Sequence, residues 1–160
     1  MKEKEIKISF REYSSLEDLP AVDRVLAEAA VRAQKTSYAP YSRFNVGAAV
    51  LLSDGTVVTG SNQENAATPS GLCAERVALF SANANYPGVP MEAIAIAGGP
   101  EMTICDTPAT PCGACRQVMA QYQAHSRRPM TVLMVGAKQI WKFSRVDDIL
   151  PFIFDSWGQE

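Results

Sequence analysis

FNVGAAVLLSDGTVVTGSN, residues 44–62, decides the fold: two β-rich runs flank Ser53-Asp54-Gly55, and Asp-Gly between such runs is a strong hairpin signal. Upstream, SYAPYSRF (37–44) is a loop, because Pro40 disfavours helix at Ala39. Before it, Leu16, Leu19, Val22, Val25, Leu26, Ala29, Ala30 and Ala33 recur at helical spacing and predict one amphipathic helix over 15–36. Ile6, Ile8 and Phe10 alternate with polar residues, predicting a short half-buried strand over 5–11. Downstream, a loop (ENAATPSG) leads to a helix over 72–85, then a buried strand at 91–97. A proline-rich loop runs to Pro111, and a helix follows over 112–124. Strands are expected at 130–136 and 139–143, and Ser144 with Asp147 reads as a capping box for a short final helix ending near Pro151. This order predicts a layered α/β sandwich around a mixed sheet, in one domain over residues 1–160.

Composition narrows the function. Hydrophobic residues make up 47% and charged residues 20%, which is ordinary globular usage. A net charge of −2 gives no reason to expect a polyanion partner, since nucleic-acid binders usually carry a basic face, and disfavours nucleic acid without excluding it. The charged start, MKEKEIKISFREYSS, has no apolar core of signal-peptide length, and no run is long enough to span a membrane. A cytoplasmic location without membrane attachment is the expectation. In that reducing setting clustered cysteines are more often metal ligands or catalytic groups than disulfides.

The four cysteines are 73, 105, 112 and 115. Cys112 and Cys115 stand at CxxC spacing on the opening turn of a predicted helix, and Cys73 opens another. Helix N-termini and a cation both favour thiolates, so two such ends converging on one Zn²⁺ give three sulfur ligands. The fourth tetrahedral position is then open, as in catalytic zinc; Cys105 taking it would make a closed structural site, and spacing alone permits either. Three unrelated core thiols are the bland alternative. Glu75, two residues beyond Cys73, is placed to act as a general base beside a zinc-bound water, or else is an exposed helix acid.

Cys73-Ala74-Glu75 with Pro111-Cys112-Gly113-Ala114-Cys115 has the form of the zinc deaminase signature. With YAPYSRFNVGAAV, GSNQENAA, PSGLCAER and PCGACRQV, the chain resembles the small homotetrameric cytidine deaminases over about residues 20–152. The resemblance implies a three-layer α/β/α sandwich with a mixed five-stranded sheet, residues 1–15 being an N-terminal extension. It implies one zinc per chain and hydrolysis of cytidine and 2′-deoxycytidine to uridine and 2′-deoxyuridine in pyrimidine salvage, with Glu75 carrying protons among the water, N3 and the leaving ammonia. Phe44 and Val46 would contact the pyrimidine, Asn62 and Glu64 the ribose, and the Ala74 N–H the pyrimidine carbonyl. Arg76 would offset the surplus thiolate charge, unless it is a solvated helix arginine, and Gln117 would support the ligands from behind. Ala66, Ala67 and Thr68 would approach a neighbouring subunit's pocket, where the family usually has tyrosine in place of Thr68. Phe152 or Phe154 would cover a neighbour's pyrimidine, or both anchor the tail to the core. His125, in a polar Ser-Arg-Arg segment, reads as a surface residue.

Three rivals remain. A deaminase of another cytosine nucleoside, such as blasticidin S, would share the metal chemistry. A nucleic-acid cytosine editor needs a basic channel, which the acidic balance opposes. A structural zinc module predicts Cys105 as a fourth ligand and no use for Glu75.

Overall fold

In a computed structural model, residues 1–155 are described. The 44–62 run forms β2 (Phe44–Leu52) and β3 (Val57–Ser61), paired antiparallel from Gly47 with Ser61 to Leu51 with Val57. The turn works as its residues require: Gly55 sits at φ 88, and the Asp54 carboxylate accepts from the Thr56 N–H at 2.9 Å.

The remaining elements are β1 (Arg11–Tyr13), α1 (Ala21–Ala33), α2 (Ala74–Asn85), β4 (Met91–Pro100), α3 (Gly113–Ser126), β5 (Thr131–Val135) and β6 (Ile140–Phe143). The sheet order is β1-β6-β5-β4-β2-β3, antiparallel except for β4 with β5. That parallel pair requires a crossover, and α3 supplies it.

Alternation along β4 builds the layers. Ala93, Ala95 and Ala97 face α1 with Leu26, Ala27 and Ala30, whereas Ile94 and Ile96 face α2 and α3 with Leu79, Ala82 and Met119. The three-layer sandwich and its mixed sheet therefore stand. Two glycines set how closely the layers approach. A Cβ on Gly47 would lie 2.1 Å from the Ala30 carbonyl oxygen, and one on Gly60 2.4 Å from the Ala78 nitrogen. Helices α1 and α2 thus rest directly on strand backbone.

Four expectations are corrected. The sheet has six strands, not five, because Arg11–Tyr13 pairs with β6. The strand expected over 5–11 is not formed: Ile6 and Ile8 remain about half exposed, and Phe10 instead stacks on Phe143 with ring centroids 5.1 Å apart. The helix expected over 15–36 is broken by the extended backbone of Pro20 (ψ 146), leaving single 3-10 turns at Leu16–Asp18 and Gln34–Thr36. Within α1, Val22 and Val25 face outward, because the buried Asp23 carboxylate pairs with Lys142 of β6 and fixes the helix phase. The Ser144–Asp147 capping box is absent. Gln123 of α3 does that work, donating to the Asp147 carboxylate at 2.7 Å and accepting from the Val146 N–H at 2.9 Å.

Candidate metal centre and active site

Cys73 and Cys112 are the N-cap residues of α2 and α3, both in extended backbone (ψ 153 and 165), where side-chain oxygens usually sit. Neither sulfur caps its own helix, so both are free to face each other across the junction of the two helices. Cys115 lies in the first turn of α3, fully buried. The three sulfurs lie within 4.8 Å of one another, and Cys112 Sγ is 3.6 Å from Cys115 Sγ. Two thiolates sharing a tetrahedral zinc at about 2.3 Å each are separated by roughly 3.8 Å, so the donor set fits zinc in identity and spacing. Cys105 stands outside this group; its backbone joins the end of β4 to the β5–β6 turn through Gly98 and Ala137. No fourth cysteine closes the site.

The electrostatics favour a thiolate at Cys73. A hydrogen bond from the Cys115 thiol, helped by Arg76, pulls the Cys73 thiol down to about 5. The Cys115 thiol is pushed up, since it gives that hydrogen bond and is buried. Arg76 Nη2 is 3.8 Å from Cys73 Sγ, and the thiolate holds the guanidinium more firmly protonated. Arg76 Nε is buried without a hydrogen-bond partner.

Glu75, in the first turn of α2, is 4% exposed. Burial pushes its carboxyl above the usual carboxylate range, against the opposing pull of its own backbone N–H and the Cys115 thiol. An isolated buried carboxylate is costly unless it can hold a proton. This one lies within hydrogen-bond reach of the Cys115 thiol.

A cavity of about 520 Å³ adjoins the centre, lined by Tyr41, Asn62, Gln63, Glu64, Asn65, Ala66, Thr68, Gly71, Leu72, Cys73 and Arg76. The Asn62 carboxamide accepts from the Val46 N–H and donates to the Phe44 carbonyl, both at 2.8 Å, so it extends the β2–β3 ladder by one peptide-like step. One amide proton is left for a ligand. One Glu64 oxygen accepts from the N–H groups of Tyr41 (2.8 Å) and Ser42 (3.3 Å). The Ser42 hydroxyl and the Tyr41 N–H hold that carboxyl below its ordinary range.

Phe44 and Val46 are half-buried on β2 and Ala74 is buried, but none of the three lines the cavity. Ala66, Ala67 and Thr68 are exposed, as are Phe152 and Phe154 (83% and 62%). Gln117 does not reach the sulfurs: its carboxamide holds the backbone of Phe154, donating to the carbonyl at 2.6 Å and accepting from the N–H at 3.3 Å. His125 is exposed in the last turn of α3. Tyr41, Gln63 and Asn65 enter the cavity unforeseen, although they stand inside the motif stretches around Pro40 and Asn62.

The family model for the cytidine and deoxycytidylate deaminase zinc-binding region matches residues 20–130. A cytidine deaminase from Halalkalibacterium halodurans is 47% identical over 100 residues, 61% of this chain and 70% of its own length. One from Sporosarcina psychrophila is 39% identical over 136 residues, 83% of this chain and 90% of its own. The crystal structure of cytidine deaminase from Burkholderia pseudomallei superposes with a TM-score of 0.70 at 41% identity, covering 81% of this chain and 97% of that one.

Proposed function

Since the chain belongs to the cytidine and deoxycytidylate deaminase family, we propose that it hydrolyses cytidine and 2′-deoxycytidine to the corresponding uridines. The observation carrying this is the buried Glu75 carboxyl beside three clustered sulfurs at two helix N-termini. Cys73, Cys112 and Cys115 hold one zinc, which when bound supplies the Lewis acidity that makes water a nucleophile at neutral pH.

Cytosine C4 is a weak electrophile, so ring and nucleophile need activation together. Glu75 takes a proton from the attacking water and delivers one to N3. As the C4–N4 bond breaks, Glu75 takes the second water proton from the new C4 hydroxyl and passes it to the departing amine, which leaves as ammonia while the C4 carbonyl forms and N3 keeps its proton. One carboxyl thus serves as base and then acid. Its raised proton affinity supports that role. Arg76 offsets the surplus negative charge of the thiolates.

Phe44 and Val46 receive the pyrimidine face, the Ala74 N–H the pyrimidine carbonyl, and Asn62 and Glu64 the ribose hydroxyls. Both ribose groups have capacity to spare: a free amide proton on Asn62 and a second oxygen on Glu64. Gln117 serves the site through the tail it holds. The exposure of Ala66, Ala67, Thr68, Phe152 and Phe154 supports a homotetramer in which these residues complete neighbouring pockets. Residues 1–160 act as one domain, residues 1–15 being an extension, and the enzyme works in the cytoplasm in pyrimidine salvage. Among the described residues no helix is long and apolar enough to cross a membrane.

The test is loss of cytidine absorbance on mixing, with and without a chelator that strips zinc. Chelator-sensitive turnover on cytidine but not on blasticidin S is expected. Turnover on blasticidin S alone would move the substrate to the rival class. Zinc retained without turnover on either would favour the structural module.

A further inference from the structure

Arg116 and Gln117 follow the sulfur ligand Cys115 directly, and both hydrogen-bond backbone of other segments. A cation in the first turn of a helix stands at the wrong end of the helix dipole. Arg116 nevertheless sits there, with Nε donating to the Pro111 carbonyl at 2.9 Å and Nη1 donating to the Ile149 carbonyl at 2.9 Å. The first acceptor is one peptide plane from Cys112, and because that plane is rigid, fixing its oxygen fixes where the Cys112 Cα begins. The second acceptor belongs to the C-terminal segment. Gln117 grips the same segment farther along, through both backbone groups of Phe154. Three successive residues therefore hold a sulfur, the loop before the other sulfur, and the tail.

We propose that Arg116 and Gln117 form a clasp that fixes the C-terminal segment, residues 149–154, to the turn carrying Cys112 and Cys115, so that tail docking and metal retention are coupled. This rests on the metal reading above, not on the substrate. Both are positioning residues. A planar guanidinium reaches two carbonyls from two segments at once, whereas a lysine ammonium offers a point charge without that fork. Residues supporting metal ligands from behind commonly change affinity by about 10- to 100-fold when replaced. The clasp is therefore sensitive to Arg116→Lys although the charge is kept.

The experiment compares the zinc-loaded full chain with its Arg116→Lys and Gln117→Leu variants. Zinc release to a chromophoric chelator, amide exchange across 149–155 and melting temperature are read in parallel. Expected for Arg116→Lys are zinc release about tenfold faster or more and faster exchange in the tail, with folding retained. If only one of the two readouts moves, or neither, the clasp is overturned. Should Arg116→Lys fail to fold, Gln117→Leu decides alone: both readouts moving together supports coupling, and tail exchange rising with zinc release unchanged overturns it. If both readouts move in Arg116→Lys while the parent chain leaves cytidine unchanged, the clasp stands and the deaminase reading falls.

Discussion

Replacing Gly60 by alanine tests whether β3 positions the metal helix. The added Cβ would lie 2.4 Å from the Ala78 nitrogen, 2.9 Å from the Ala74 carbonyl oxygen and 2.9 Å from the Ala78 Cα. Every one of those atoms is α2 backbone, so no side chain can rotate aside. Ordinary contact begins at 3.4 Å, and α2 must retreat by about 1 Å to reach it. Overpacking of this kind costs about 1–3 kcal/mol, and in a chain of this length each kcal/mol lowers Tm by about 2–4 °C. The same shift carries Cys73 and Glu75 away from Cys112 and Cys115, which ride on α3. A displacement near 1 Å at reacting groups costs on the order of 100-fold in rate. Melting curves and kcat on cytidine would be measured beside Gly113→Ala, where a Cβ meets nothing within 4 Å and the helix gains a better former. Gly113 lies between two of the sulfurs in sequence, yet its substitution is expected to leave Tm level or raised. Unchanged Tm and kcat in Gly60→Ala would refute direct seating of α2 on β3.

Glu75→Gln is expected to retain one zinc per chain, by metal analysis, while kcat falls by about 10²- to 10⁴-fold; near-normal turnover would remove the carboxyl from the chemistry. Cys105→Ser should keep both zinc and activity, since its sulfur lies outside the cluster, and loss of metal would restore the closed-site reading. Glu64 has a lowered proton affinity when folded, so its hold on the loop is present above the ordinary carboxylate range and lost as pH falls through its depressed folded value. Amide exchange at Tyr41 and Ser42, corrected for intrinsic rates, should stay protected from pH 7 to about 5 and open at all pH values in Glu64→Leu, which has no acceptor.

The hairpin and the sulfur trio were legible because each rests on local chemistry: a turn needing left-handed glycine, and cysteines at helix starts. Misreadings came where a distant partner overrode a local pattern. The periodicity of Val22 and Val25 was real, but Asp23 with Lys142 of β6 turned that stripe outward. Ser144 and Asp147 had capping-box spacing, yet a carboxamide from α3 took the donors. Phe10 matched a strand pattern and found ring faces instead, while pairing began one residue later. Gln117 carries no sequence signal for its partner, since Phe154 is remote along the chain and presents only backbone. The Glu64 hold on Tyr41 and Ser42 is hidden in the same way.

Edge pairing of Arg11–Tyr13 with Ile140–Lys142 sets a temporal order for biosynthesis. Cys115 leaves the ribosome about 25 residues ahead of Ile140, an interval of roughly 1–5 s at ordinary translation speeds. All the sulfurs therefore emerge before the oldest stretch of chain has anything to zip against. When the last of these cysteines emerges the sheet is still open at that side, and the Trp141 indole that donates to Glu12 at 3.0 Å is among the late fasteners.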